Sequence, residues 1–155
     1  VKTPAFLVII LVLAFIGIAD AWYLTQSMYT LTPLSCDITG LDGCNTVAQS
    51  VYSHLFGYPL ALYGVFFYGF IFALAAAALF APRRIMHAGL FLLGLLGLVS
   101  SIVFIAIQVG LIKAVCVYCL LSALISLLIF VCTALVWKRE RSASFVPREV
   151  HAVLP

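Results

Sequence analysis

The stretch CVYCLLSALISLLIFVCTALVW, residues 116–137, decides the fold. It opens on two cysteines three positions apart and then stays apolar, without a charge, until Lys138. Counted from Ala114, the run meets the ~20 residues that a helix needs to cross a ~30 Å hydrocarbon layer. It therefore reads as a membrane helix that carries a dithiol at one end.

Working outward, three more runs have the same character, at about residues 5–24, 58–80 and 85–112. The chain of 155 residues is 66% hydrophobic and only 8% charged, against roughly 25% charged in an average soluble domain. A soluble protein of this size could not hide so much apolar surface. Lipid offers no partner for exposed backbone polar groups, so the spans are helices and not barrel strands. The expected fold is all-α: an integral membrane four-helix bundle, a single membrane domain over 1–155, with helices at about 5–24, 58–80, 85–112 and 114–137. A loop of about 26–57 faces outward and a tail, 138–155, follows the last helix, weakly ordered from Ser142 onward. The segment IADAW at 18–22 resembles a signal cleavage site, but the preceding run is longer than a signal core, which favours a retained helix.

Charge sets the orientation. Lys2, Arg83, Arg84, Lys138, Arg139, Arg141 and Arg148 fall at one set of helix ends. Lys113 lies at the other, with Asp20, Asp37 and Asp42. The positive-inside rule puts both termini and the Pro82–His87 turn in the cytoplasm. The long loop and the CVYC pair then face outward, which means the periplasm in a bacterium and an organelle lumen in a eukaryote; for a bacterial protein the expected place is the inner (cytoplasmic) membrane, as a multi-pass protein. The basic groups anchor topology against the lipid bilayer, which speaks against nucleic acid as a partner. With no charge read at mid-membrane, ion transport is disfavoured.

Of five cysteines, four lie on the outward side, where disulfides persist. Cys36 and Cys44 bracket CDITGLDGC, in which Gly40 and Gly43 allow tight turns; Cys116 and Cys119 form the C-x-x-C. Thiol–disulfide exchange needs a thiolate, and a helix N-terminus stabilises one through its free N–H groups and dipole. A loop pair can collect electrons from a soluble protein and hand them to the pair on the helix. Cys132 lies about 20 Å deeper at ~1.5 Å per residue and reads as structural. Cys119, Ser122, Ala123 and Ser126 share one helical stripe, which either allows close helix packing or leaves space for a flat apolar ligand. Leu121, Leu124, Ile125 and Leu128 make the face expected towards lipid. Gly97 with Ser101, and Ala73 with Ala77, read as bundle packing.

The loop CDITGLDGC, Ser50 six residues after Cys44, LFGYPLALYG at 55–64 and CVYCLLSALIS at 116–126 together resemble the vitamin K epoxide reductase family, in the form of its bacterial quinone-linked disulfide-forming enzymes. The resemblance covers roughly Leu24 to Phe130. It implies a bundle around a quinone, with Cys119 beside the ring and Cys116 its partner. Cys36 and Cys44 become the shuttle pair and Ser50 a hydrogen-bonding support. By position, Leu60, Gly64, Ser122 and Ala123 fall at the quinone. Vertebrate members carry a tyrosine where this chain has Ala123 and an asparagine where it has Leu60, and those groups are associated with holding vitamin K oxygens. An ordinary respiratory quinone, ubiquinone or menaquinone from the membrane pool, is the better expectation. The implied partner is a separate periplasmic thioredoxin-like dithiol oxidant of the DsbA type, because the residues after Trp137 are too few for a fused one. The expected activity is reoxidation of that partner at the expense of quinone, driving disulfide formation. Vitamin K quinone or epoxide reduction is the alternative within the family.

Other residues carry weaker signals. Tyr63, Phe67 and Tyr118 can line a quinone pocket or belong to an interfacial aromatic belt. Lys113 can lower the Cys116 pKa or snorkel to headgroups; His54 can shuttle a proton or sit idle at the surface. Asp37 reads as a turn-former. Two rival classes use the same cysteines: a zinc site, for which C-x7-C is a loose ligand spacing, and a structural membrane subunit with inert disulfides. No metal is expected.

Overall fold

A computed structural model describes residues 3–36 and 43–143. Lys2, Asp37, Gly40, Asp42, Pro147, Arg148 and the tail from residue 144 on lie outside the described residues.

The chain runs through α1 (Thr3–Thr30), α2 (Cys44–Ala48), a 3₁₀ turn (Val51–Ser53), the short strands β1 (His54–Leu55) and β2 (Tyr58–Pro59), then α3 (Leu60–Phe80), α4 (Arg84–Ile107), a π turn (Gln108–Ile112) and α5 (Val117–Ala143). Four of these helices are long and apolar enough to cross a membrane. They pack as a ring in which α1 touches α3 and α5, and α4 touches α3 and α5. Leu7, Ile10 and Ala14 meet Tyr68, Ile71, Ala75, Leu90, Ile125 and Ile129 in the middle. The outside is apolar as well, with Phe15, Phe66, Phe70, Ile102 and Leu124 exposed. A continuous apolar shell of this extent is what lipid selects and water does not. The protein is an all-α, multi-pass membrane protein.

Helix ends depart from the sequence expectation where side chains give the backbone another course. α1 continues to Thr30, well past residue 24, and within it Thr25 and Thr30 donate their hydroxyls to the carbonyls of Ala21 and Gln26, so neither hydroxyl is left unpaired. It ends at Leu31, whose φ of 53° is left-handed, while the Thr32 N–H returns to the Ser27 carbonyl at 3.2 Å, closing the last turn in the Schellman manner. α3 starts at Leu60 because residues 54–59 form a two-stranded antiparallel hairpin, with His54 opposite Pro59 and Leu55 opposite Tyr58. α5 starts at Val117, after a left-handed Lys113 (φ 57°) has turned the chain.

Two side chains expected at the periphery are interior. Ile125, expected to face lipid, is 3% exposed, because a helix with two neighbours in a ring buries a wide sector that takes in Ile125 and Ile129 beside Ser126. Leu121, Leu124 and Leu128 do face outward. His87 lies in the first turn of α4, not in the connecting turn, and is buried with its Nδ1 paired to Glu140 of α5. That pair ties α4 to α5 at the end of the bundle where Arg84 and Arg141 flank the Trp137 ring.

Candidate active site

The Cys36–Cys44 disulfide, with Cα atoms 6.2 Å apart, sits at the opposite end of the bundle. The described residues on either side of it, up to Cys36 and from Gly43 on, are docked against the bundle. Asn45, in the first turn of α2, holds Leu34 at both backbone groups: its Oδ1 accepts from the Leu34 N–H at 2.9 Å and its Nδ2 donates to the Leu34 carbonyl at 3.2 Å. Tyr118 donates its hydroxyl to the Ser35 carbonyl at 2.9 Å, and its ring lies 5.1 Å from that of Tyr23. The Gly43 N–H donates to the Val115 carbonyl at 3.2 Å. That contact needs glycine, since a Cβ at residue 43 would lie 2.7 Å from the Val115 nitrogen. As a result Leu34, Cys36, Cys44 and Cys116 are buried in one cluster, with Tyr118 and Cys119 packed against it.

The helical pair is placed by the π turn, an irregularity frequent at functional sites. Buried Gln108 accepts the Cys116 N–H at its Oε1, 3.1 Å away. Cys116 then acts as the N-cap of α5. Its carbonyl accepts from Leu120 N–H at 3.0 Å, and its Sγ accepts from Cys119 N–H at 3.4 Å, the bond that a capping serine or aspartate makes. The Cys119 thiol donating to Cys116 holds the Cys116 thiol below its usual pKa; burial opposes this, and the backbone N–H groups of Cys119 and Tyr118 add to it. Cys116 is thus the more easily ionised member of the pair and lies on the loop side.

Beneath the pair is a cavity of about 400 Å³, lined by Cys44, Cys116 and Cys119 and by Ser50, Leu60, Tyr63, Gly64, Phe67, Ser122 and Ala123. Cys36 reaches it through its bond to Cys44. Ser122, Ala123 and Ser126 border the space, so the small-residue stripe leaves room where it was equally open to tight packing. Ser50 donates its hydroxyl to the Val47 carbonyl at 2.8 Å, which fixes the turn after α2. The Tyr63 hydroxyl is tied to the Leu55 carbonyl at 3.0 Å, leaving its ring on the cavity wall. Tyr118 does not line the cavity; it holds the loop. Lys113 and His54 are exposed, and His54 Nδ1 shares a 2.9 Å hydrogen bond with Ser53. Cys132 is unpaired and packs against the core.

Among the polar residues of the cavity wall that were not singled out as site residues from the sequence, three are the most buried or most bonded. Gln108 is one. Tyr68 is another: buried, its hydroxyl bonds Ser122 Oγ at 2.8 Å, the Ser122 carbonyl at 2.9 Å and Ser126 Oγ at 2.9 Å. Gly17 makes room for its ring, since a Cβ there would come within 2.7 Å. The third is Asp20, read from the sequence as one of the outward charges; it lines the cavity and is 8% exposed. Each stands as a polar residue inside an otherwise apolar run, which is the signal that marks them.

The wall has the chemistry that a flat apolar ring with two polar oxygens needs: mostly carbon, a few polar groups, and a sulfur at one edge. Its volume lies in the range of small-molecule sites. No curated protein matches the chain. The family model that matches is that of the Vitamin K epoxide reductase family, over residues 8–134, a span that holds both cysteine pairs and the cavity wall.

Proposed function

The chain belongs to the vitamin K epoxide reductase family, whose members are membrane thiol oxidoreductases that use quinones, and on that premise we propose that it reoxidises a separate periplasmic thioredoxin-like protein at the expense of a membrane quinone. The observation that carries the reading is the common burial of the two cysteine pairs. Cys44 and Cys116 share one cluster, Cys119 packs against it, and all three border the cavity.

The partner's thiolate attacks the Cys36–Cys44 disulfide; a disulfide forms in the partner, and the loop pair is left reduced. A loop thiolate then attacks the Cys116–Cys119 disulfide, which restores Cys36–Cys44 and leaves the helical pair reduced. Cys116, the capped and more acidic thiol, is suited to exchange with the loop. Cys119, on the cavity side, is the sulfur through which the electron pair leaves, and Cys116 closes the ring behind it. A bound quinone supplies a two-electron, two-proton acceptor. Leu60, Tyr63, Gly64, Phe67, Ser122 and Ala123 would hold it, and Ser50 supports the turn above it. Leu60 and Ala123 offer only carbon, which favours ubiquinone or menaquinone over an epoxide whose oxygen must be gripped. A partner as oxidising as about −120 mV demands a stronger acceptor, each ~30 mV being worth about 1.4 kcal/mol for two electrons. Arg83, Arg84 and Lys138 gather at the end away from the cysteines, which supports an inner-membrane enzyme with both termini cytoplasmic.

The test is anaerobic mixing of the purified chain with a reduced thioredoxin-like oxidant and a short-chain ubiquinone. Quinone absorbance should fall with the wild type and stay constant with Cys119→Ala. An undiminished fall in that variant removes Cys119 from the electron path.

A further inference from the structure

Asp20 is an unusual residue to find inside a span. It lies within Pro4–Thr30, a segment apolar enough to cross the membrane. Along α1, Gly17, Asp20, Ala21 and Leu24 fall on one stripe at helical spacing. Gly17 accommodates the Tyr68 ring, Ala21 lies against Gly64, and Leu24 packs on the disulfide cluster. The stripe therefore faces the cavity, and Asp20 is one of its lining residues. Asp20 is 8% exposed, and neither of its carboxyl oxygens has a hydrogen-bond partner among the described residues. Tyr68 on α3, and Cys116, Tyr118 and Cys119 around the start of α5, lie within its electrostatic reach.

Buried polar groups without partners are rare, and in a cavity they indicate that an occupant completes the set. The chemistry of a carboxyl narrows what that occupant is. Protonated, it donates to an oxygen acceptor; ionised, it accepts from an O–H donor. The oxygen of a quinone is an acceptor, and after reduction it carries a proton and becomes a donor. A carboxyl is the side chain that can pair with both forms, by moving one proton between them.

We infer that Asp20 is the proton donor to a ring oxygen of the quinone reduced in this cavity. The inference rests on the quinone reading of the site given above. The balance is as follows. The dithiol gives up two electrons and becomes the Cys116–Cys119 disulfide, and the ring oxygens gain two protons. Asp20 delivers one, which it replaces from the Cys119 thiol, and so ends as it began. The other is the proton that Cys116 releases, carried by water from the outward side.

The experiment uses the full chain in lipid nanodiscs with a short-chain ubiquinone. Binding should shift the carboxylic C=O infrared band of Asp20, and the shift should be missing in Asp20→Asn. With a dithiol as electron source, Asp20→Asn should reduce quinone about 100-fold more slowly, the usual contribution of a positioned proton donor. Reduction of the Cys36–Cys44 disulfide should keep its wild-type rate, and Asp20→Glu should recover part of the loss. An Asp20→Asn protein that keeps both the infrared response and the rate overturns the role of Asp20 alone. A wild type that reduces no quinone overturns this inference together with the reading beneath it.

Discussion

At the scale of the residue, a sulfur takes a post that oxygen usually fills. Serine, threonine and aspartate cap helices because a side-chain acceptor satisfies a free N–H of the first turn. Cys116 does so with Sγ, and the Cys119 N–H is 3.4 Å away. The cap favours the thiolate, as does the positive end of the helix dipole. With the pKa lowered, the thiolate persists below the pH at which a free thiol has taken up its proton, and is lost only as the pH falls through the lowered value. In a Cys36→Ser, Cys44→Ser, Cys132→Ala background, thiolate ultraviolet absorbance should therefore titrate first at a midpoint below that of free cysteine. Adding Cys119→Ala removes the thiol that donates to Cys116, so the midpoint should rise. A midpoint unchanged by that substitution would assign the shift to the helix end alone.

At the scale of the element, the proposed exchange depends on a loop held down on a turn. The bidentate Asn45–Leu34 clamp, the Tyr118–Ser35 bond and the Gly43–Val115 bond press the loop onto the segment between α4 and α5. Gly43 is the tightest point. Its φ of −74° suits any residue, so its constraint is purely steric: an added Cβ would meet Val115 N at 2.7 Å and Val115 O at 2.9 Å. Gly43→Ala should lift the loop by a fraction of an ångström to an ångström. Misplacement on that scale can slow a positioned reaction about 100-fold. Acid-quenched alkylation, following reducing equivalents from Cys36 and Cys44 to Cys116 and Cys119, should show the slowing. Gly69→Ala, where an added Cβ meets nothing within 4 Å among the described residues, should exchange at the wild-type rate. Equal rates for Gly43→Ala and the wild type would mean that docking is not what brings the pairs together.

At the scale of the whole molecule, the two ends of the bundle differ in kind: cysteines and hairpin at one, the His87–Glu140 pair and the arginine–tryptophan contacts at the other. In a cysteine-free background, Phe56→Cys at the hairpin tip and Ala81→Cys between α3 and α4 test the orientation, both positions being exposed. A membrane-impermeant maleimide added to cells should label residue 56 and leave residue 81 untouched. The reverse pattern would put the cysteine pairs in a reducing compartment and end the periplasmic reading. Much of this architecture was open to reading from the chain alone. Span length, the absence of charge inside a run and the C-x-x-C spacing are local properties, so four helices and two dithiols needed no coordinates. Which face of each helix turns inward is another matter. In a soluble bundle the apolar stripe marks the inner face, but in lipid both faces are apolar and the contrast disappears. Ile125 was misplaced for that reason, and the Cys119 stripe stayed ambiguous between packing and pocket; Asp20, read on the cysteine side, lies there but inside the cavity, since α1 runs on to Thr30. Only the tertiary structure settled these, along with the docking of the loop on Cys116, because each depends on which neighbour flanks a residue and not on the residue's place in its own helix.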